Sequence, residues 1–201
     1  MLDNIWRDYA TVLREWTPLA EQGHAYAQSS LGLMYQKGKG VSQDYKTAVK
    51  WWRLAAEQGY APAQSNLGWM FDKGQGVPQN YETAANLFKV SAEKKVALSQ
   101  FSLGFLYYDG LGVKQDKNAA FKSFKLAAER GEAAAQFNLG NMYYENFEVV
   151  RAYMWWSVAI SNGSPQGTKS MDLIEGHITP QQLATAKQLA RECIQKNYEG
   201  C

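Results

Sequence analysis

A nine-residue string recurs four times in this chain at a fixed interval of 36 residues. It stands first as Ala27-Gln28-Ser29-Ser30-Leu31-Gly32-Leu33-Met34-Tyr35, then as Ala63-Gln64-Ser65-Asn66-Leu67-Gly68-Trp69-Met70-Phe71. The third copy is Ser99-Gln100-Phe101-Ser102-Leu103-Gly104-Phe105-Leu106-Tyr107, and the fourth is Ala135-Gln136-Phe137-Asn138-Leu139-Gly140-Asn141-Met142-Tyr143. A second pattern keeps the same period. Ala48, Trp52 and Ala55 correspond to Ala84, Phe88 and Ser91, then to Ala120, Phe124 and Ala127. In the fourth copy Ala152, Trp156 and Ala159 arrive four residues early. The units close at Gly59, Lys95, Gly131 and Gly163. A Gly-x-Gly-Val-x-Gln-Asp stretch joins the two halves at Gly38 to Asp44, with variants at Gly74 to Asn80 and Gly110 to Asp116.

Each unit reads as two helices. In the first, helix A, positions 27, 31, 32 and 35 fall within about 140° of arc, which is one buried face. The small Gly32 and its equivalents let the partner helix approach closely. Helix A ends at the Gly-x-Gly turn, where glycine takes the left-handed capping conformation. Helix B starts at Asp44, Asn80 and Asp116, whose side chains accept hydrogen bonds from free amides. One unit cannot bury such a face alone, but a stack of them can, with atypical elements at its ends. The segment from Asp8 to Gln22 aligns with helix B and forms a half repeat, in which Pro18 is expected to kink or shorten the helix. At the other end, Thr179-Pro180-Gln181-Gln182 combines an N-cap, an N1 proline and a capping-box glutamine, opening a helix near 180–196.

The expected fold is therefore all-α, a solenoid of 36-residue helix–turn–helix repeats forming one domain over residues 1–201. Its parts are a half repeat at 1–22, repeats at 23–58, 59–94, 95–130 and 131–162, and a C-terminal cap at 163–201. The fourth unit lacks the Gly-x-Gly-Val turn, so its helices are expected to join through a tighter one.

Charge narrows the function classes. Lysine and arginine number 21 against 19 acidic residues, too balanced for the basic stripe of a nucleic-acid or membrane surface. No stretch approaches the roughly 18 apolar residues of a membrane span. The opening Met-Leu-Asp-Asn-Ile-Trp-Arg-Asp lacks the pattern of a secretory leader. As it stands the sequence fits the cytoplasm, and the periplasm if a leader has been removed.

The two patterns together resemble the Sel-one-like repeat family, relatives of the tetratricopeptide repeats. The resemblance rests on Ala-Gln-x-x-Leu-Gly-x-Met-Tyr, Gly-x-Gly-Val-x-Gln-Asp-Tyr and Trp-Trp-x-x-Ala-Ala-Glu-Gln-Gly, and covers about 23–163 plus the half repeat. It implies a right-handed α-solenoid that serves as an adaptor or scaffold for protein partners, common in bacteria. Cell-wall or β-lactam hydrolysis, suggested for some relatives, and a structural subunit assembling through its ends are the rival implications. Lys95 and the shortened fourth unit depart from the family pattern.

Solenoids of this kind bind along the concave surface lined by A helices. The positions expected there are 29, 33 and 36 and their equivalents, centred about 207° around helix A against about 65° for the packing set. They bring together Trp69, Asp72, Phe101, Phe105, Tyr108, Phe137, Asn141 and Tyr144 as partner-binding candidates. Two readings stay open: a contact surface rich in hot-spot residues, or rings packed between neighbouring A helices or covered by the C-terminal segment. Trp52 and Trp156 hold the repeated core position, whereas Trp51 and Trp155 are expected to pack at the helix flank.

No catalytic or metal constellation is expected, and no cofactor. His24 and His177 each stand alone at an element boundary, without the spacing of a zinc site. Gly38-Lys39-Gly40 is a turn, because a phosphate loop needs the longer Gly-x-x-x-x-Gly-Lys motif after a strand. Glu57, Glu93 and Glu129 recur at the ends of B helices as solvated carboxylates, and no nucleophile elbow is present. Cys193 and Cys201 are expected to pair if the protein is exported and to remain free thiols in a reducing cytoplasm. Pairing requires the helix to stop near Asn197 and the tail to fold back at Gly200, because eight helical residues span about 12 Å.

Overall fold

The computed structural model describes residues 9–174 and 176–201. The first eight residues, including the Asp8 start of the half repeat and the stretch read for a leader, lie outside the described residues. All regular structure among the described residues is helical. The elements are α1 (Tyr9–Glu21), α2 (Ala25–Lys37), α3 (Tyr45–Glu57), α4 (Ala61–Lys73), α5 (Tyr81–Glu93) and α6 (Ala97–Asp109). They continue as α7 (Lys117–Ala128), α8 (Ala133–Glu145), α9 (Val149–Ser161), α10 (Gln166–Ile174) and α11 (Pro180–Gln195). The A helices are α2, α4, α6 and α8, and each packs on the B helix that follows it. Internal contacts divide the chain into two compact units, one up to Val96 with Leu111–Val113, the other Ala97–Gly110 with Lys114–Cys201.

In the first unit the helix pairs close over Trp52, which is fully buried with Ala48, Ala63, Leu67 and Met70. Gly32 is where α2 meets that indole: a Cβ there would lie 2.6 Å from Trp52 Nε1. Trp52 in turn donates to the Ser29 carbonyl at 3.0 Å. The glutamine of the repeated string fastens α2 and α4 each to the helix before it. Gln28 Nε2 donates to the Ala20 carbonyl at 3.0 Å, and Gln64 Nε2 to Ala56 at 3.3 Å. Each carbonyl lies in the last turn of its helix and also accepts a backbone N–H, from Gly23 or Gly59, so the glutamine adds a second donor to the same oxygen.

Both glycines, the glutamine and the N-cap residue of the turn between A and B each have a structural role. Gly74 caps α4 in the left-handed conformation, its N–H bonding the Met70 carbonyl. Gln79 Nε2 then donates to the Asp72 carbonyl at 2.7 Å, and Asn80 accepts from Thr83 N to start α5. The second glycine, Gly76, serves the preceding unit, since a Cβ on it would lie 2.5 Å from the Tyr45 carbonyl oxygen. Asp44 does the work of Asn80 in the first turn, accepting from Lys46 N and Thr47 N. The Thr47 hydroxyl also donates to Asp44 at 2.7 Å, and this bond, with the backbone ones, holds the carboxyl below the usual range.

Two details of this unit differ from the sequence reading or follow from its departures. Pro18 does not shorten α1, which runs three residues beyond it to Glu21. Pro18 and Arg14 are both exposed, so the helical N–H that a proline withholds is withheld at the solvent side of α1. Lys95, the residue in place of a boundary glycine, adopts φ 65° where Gly59 has φ 78°. Left-handed backbone strains a residue with a Cβ, so Lys95→Gly is expected to raise stability by about 0.5–1 kcal/mol, read as an upward shift in urea midpoint at constant slope.

In the second unit α6 to α9 repeat the scheme, with Phe124 and Trp156 as the ring positions. Gln136 Nε2 donates to the Ala128 carbonyl at 3.1 Å. The α8–α9 turn is tighter, three residues against the seven between α2 and α3. It reverses at Phe147, whose φ is 61°. Beyond α9 the sequence predicts one capping helix, and α11 has its start at Thr179 with both bonds of the capping box. The nine-residue α10 is an addition to that reading, seated on α9 where Gly167 would bring a Cβ to 2.9 Å from the Trp156 carbonyl. Helix α11 also packs on α9, and this corrects the placement of Trp155. Its side chain is fully buried rather than lying at a flank, in one core cluster with Ala186, Ala190 and Cys193 of the cap. Trp51, by contrast, is half-buried. After α11 the chain turns back through Asn197 and Tyr198 at φ 51° and 70°, and Gly200 at φ 67°. Cys193 and Cys201 are joined there by a disulfide with their Cα atoms 5.5 Å apart.

Candidate functional site

The eight candidate residues divide between the units. Trp69 and Asp72 belong to the first. Trp69 is half-buried against the core around Trp52, and Asp72 pairs with its neighbour Lys73 at 2.7 Å. The other six lie on α6 and α8 in the second unit.

Helical spacing decides which of those six meet. Phe101 and Phe105, one turn apart on α6, stand edge to face at 5.0 Å. Both rings rest on Phe124 of α7, at 5.9 and 5.3 Å. Phe105 remains 38% exposed and Tyr144 46%, so neither is consumed by packing. Tyr108 is half-buried further along α6. On α8, Phe137 packs against the core and stays outside the cleft described below. Asn141 accepts the Trp156 indole N–H at 2.9 Å, so its oxygen is committed to holding that core ring in place.

Between α6 and α8 lies a cleft of about 240 Å³, lined by Phe105, Tyr108 and Asn141 of the candidates. Its remaining walls are Asp109, Phe124, Asn138, Met142 and Glu145. Tyr108 donates its phenol to Glu145 Oε1 at 2.5 Å. Lys117 Nζ approaches Glu145 Oε2 at 3.2 Å and stands 5.2 Å from the centre of the Tyr108 ring. The hydrogen bond to Glu145 pushes the Tyr108 phenol above its ordinary value, with burial and the nearby carboxylates adding to it. The same bond, with Lys117, holds Glu145 below the usual range.

These directions set a pH window. The Glu145 contribution is present above about 4.5, the ordinary value, and fades as pH falls through the depressed one. The Tyr108 contribution is present below 10.0 and is lost as pH rises through the elevated value. Glu145→Gln removes the main cause, so NMR titration of ring-labelled tyrosine should show the Tyr108 phenol ionising at lower pH in that variant. An unchanged titration would mean that burial, not Glu145, sets the value.

Sequence reasoning missed Glu145, Lys117 and Asp109. A signal was available in the last residue of each A helix, which reads Lys37, Lys73, Asp109, Glu145 and so changes sign halfway along the chain. No group of metal-ligating side chains occurs among the described residues, and no described helix is long and apolar enough to cross a membrane.

Comparison with known proteins places this architecture. The chain is similar to a Sel1 repeat protein from Oxalobacter formigenes, with 26% identity and a TM-score of 0.72 over 85% of this chain and 72% of that one. It is also similar to c5321, a protective antigen of uropathogenic Escherichia coli displaying an SLR fold. Identity there is 28% and the TM-score 0.62, over 96% of this chain and 51% of that one. The chain thus spans about half the length of that antigen. The immunity protein Pa5087 of Pseudomonas aeruginosa, at 21% identity and TM-score 0.56, shares the fold. No curated protein matches the sequence significantly. The family model for the Sel1 repeat matches residues 25–60, 61–96, 97–132 and 133–146, each match opening at the first residue of an A helix. Matched over more than half its length in four successive units, with an all-helical solenoid fold like those relatives, the chain belongs to the Sel1 repeat family.

Proposed function

We propose that the chain is a non-catalytic adaptor whose second unit holds a protein or peptide partner on the α6–α8 face, around Phe105, Tyr108 and Tyr144. Sel1 repeat proteins typically serve as protein-interaction scaffolds, and their fold is generally non-catalytic. The observation that supports this reading is the cleft itself. Phe105 and Tyr108 line a cavity whose floor includes the packed Phe124, and the exposed Tyr144 ring stands outside that lining, against the buried Trp156. Aromatic side chains of this kind, rigid and partly wet, dominate contact energies at interfaces. Phe101, Phe137 and Asn141 act as supports, steadying the rings and Trp156 from behind. Trp69 and Asp72 are proposed as the first unit's contribution to partner contact.

The test begins with peptides selected from a random displayed library against the full chain. Their affinity is then measured for Phe105→Ala and, because its ring is more exposed, Tyr144→Ser. A loss of about tenfold or more, roughly 1.4 kcal/mol, in variants with an unchanged melting temperature supports the reading. Affinity that survives both changes overturns it.

A further inference from the structure

Helix ends carry partial charge, and cations belong at the C-terminus. Helices α2 and α4 follow that rule, ending in Lys37 and Lys73. Helices α6 and α8 break it, ending in Asp109 and Glu145 with no basic residue in the last turn. Both carboxylates line the same aromatic cleft. Two negative side chains and two negative helix ends thus bear on a cavity walled by Phe105, Tyr108 and Phe124. Lys117, exposed at the first residue of α7, sets its ammonium at the Tyr108 ring and the Glu145 carboxylate. Asp109 has no ion-pair partner among the described residues.

We propose that this cleft receives a positively charged side chain of the partner, an arginine. The inference rests on reading the α6–α8 face as the partner surface. A guanidinium is planar and weakly hydrated, so it can lie against an aromatic face while its fork meets a carboxylate. Lys117 shows the arrangement in cis, held against one ring and one carboxylate. A partner arginine takes up Asp109 and competes with Lys117 for Glu145. An acidic segment is repelled by both carboxylates and by the helix ends.

The full chain is titrated with blocked pentapeptides Ala-Leu-X-Leu-Ala, where X is arginine, citrulline or glutamate, and the Phe105 and Tyr108 ring resonances are followed by NMR. Citrulline keeps the shape of arginine without its charge. The arginine peptide is expected to bind about fivefold or more tightly than the citrulline one, the scale of one partly exposed charge pair. Asp109→Asn combined with Glu145→Gln should abolish that preference, and Lys117→Met should strengthen it by removing the internal rival. Equal binding of the arginine and citrulline peptides overturns the charge inference. If all three peptides shift the rings alike, the adaptor reading stands and the arginine preference falls. If none shifts them, both fall together.

Discussion

Trp156→Ala is expected to lower the melting temperature by about 10 °C or more, corresponding to roughly 3–5 kcal/mol for a fully buried large ring. The indole fills the crossing of α8 and α9 so closely that a Cβ on Gly140 would lie 2.5 Å from its Cδ1. Truncation leaves a cavity that Gly140, having no side chain, cannot fill, and it strips Asn141 of its indole partner. Trp156→Phe should cost much less, because Phe88 and Phe124 hold the same position in the second and third repeats. Calorimetry on the three proteins checks this, and an alanine variant that melts like wild type would mean the ring is not a keystone of the second unit.

Gly76→Ala should be nearly as harmful, and Gly59→Ala serves as its control. Both glycines have positive φ, 71° and 78°. A methyl on Gly59 meets nothing within 4 Å, whereas one on Gly76 meets the Tyr45 backbone at 2.5 Å. The control therefore reports left-handed strain alone, about 1 kcal/mol. The Gly76 change adds overpacking against a helix start that cannot retreat, bringing the total to about 3 kcal/mol. Urea unfolding of both variants measures the difference. Equal losses would show that the second turn glycine is kept for its backbone angle and not for the approach of the neighbouring repeat.

The period made most of the fold legible. A spacing of 36 residues locates each helix, while Gly-x-Gly and Gln-Asp mark one helix end and the next start. Apart from the second glycine, which meets Tyr45 of the preceding repeat, those residues find their partners within seven positions, and local interactions are what a sequence displays. Helix α10 escaped because it has no equivalent in any other unit and only nine residues in which to show a pattern. Trp155 was misplaced for a related reason. Its burial depends on α11, some thirty residues away in sequence, and no repeat predicts a contact that only the cap makes. The candidate site was visible as a column of rings but not as a cleft. Its charge is set by Glu145 and Lys117, 28 positions apart, and only the packing of α6, α7 and α8 brings them to 3.2 Å. Asn141, chosen for its place beside the rings, proved to have its oxygen engaged by Trp156.

The adaptor account is tested most directly by a crystal structure of the full chain with a peptide selected for binding to it. The account predicts peptide density between α6 and α8, with Phe105, Tyr108 and Tyr144 in contact. A peptide seated only on the B helices, with that cleft left empty, would contradict it.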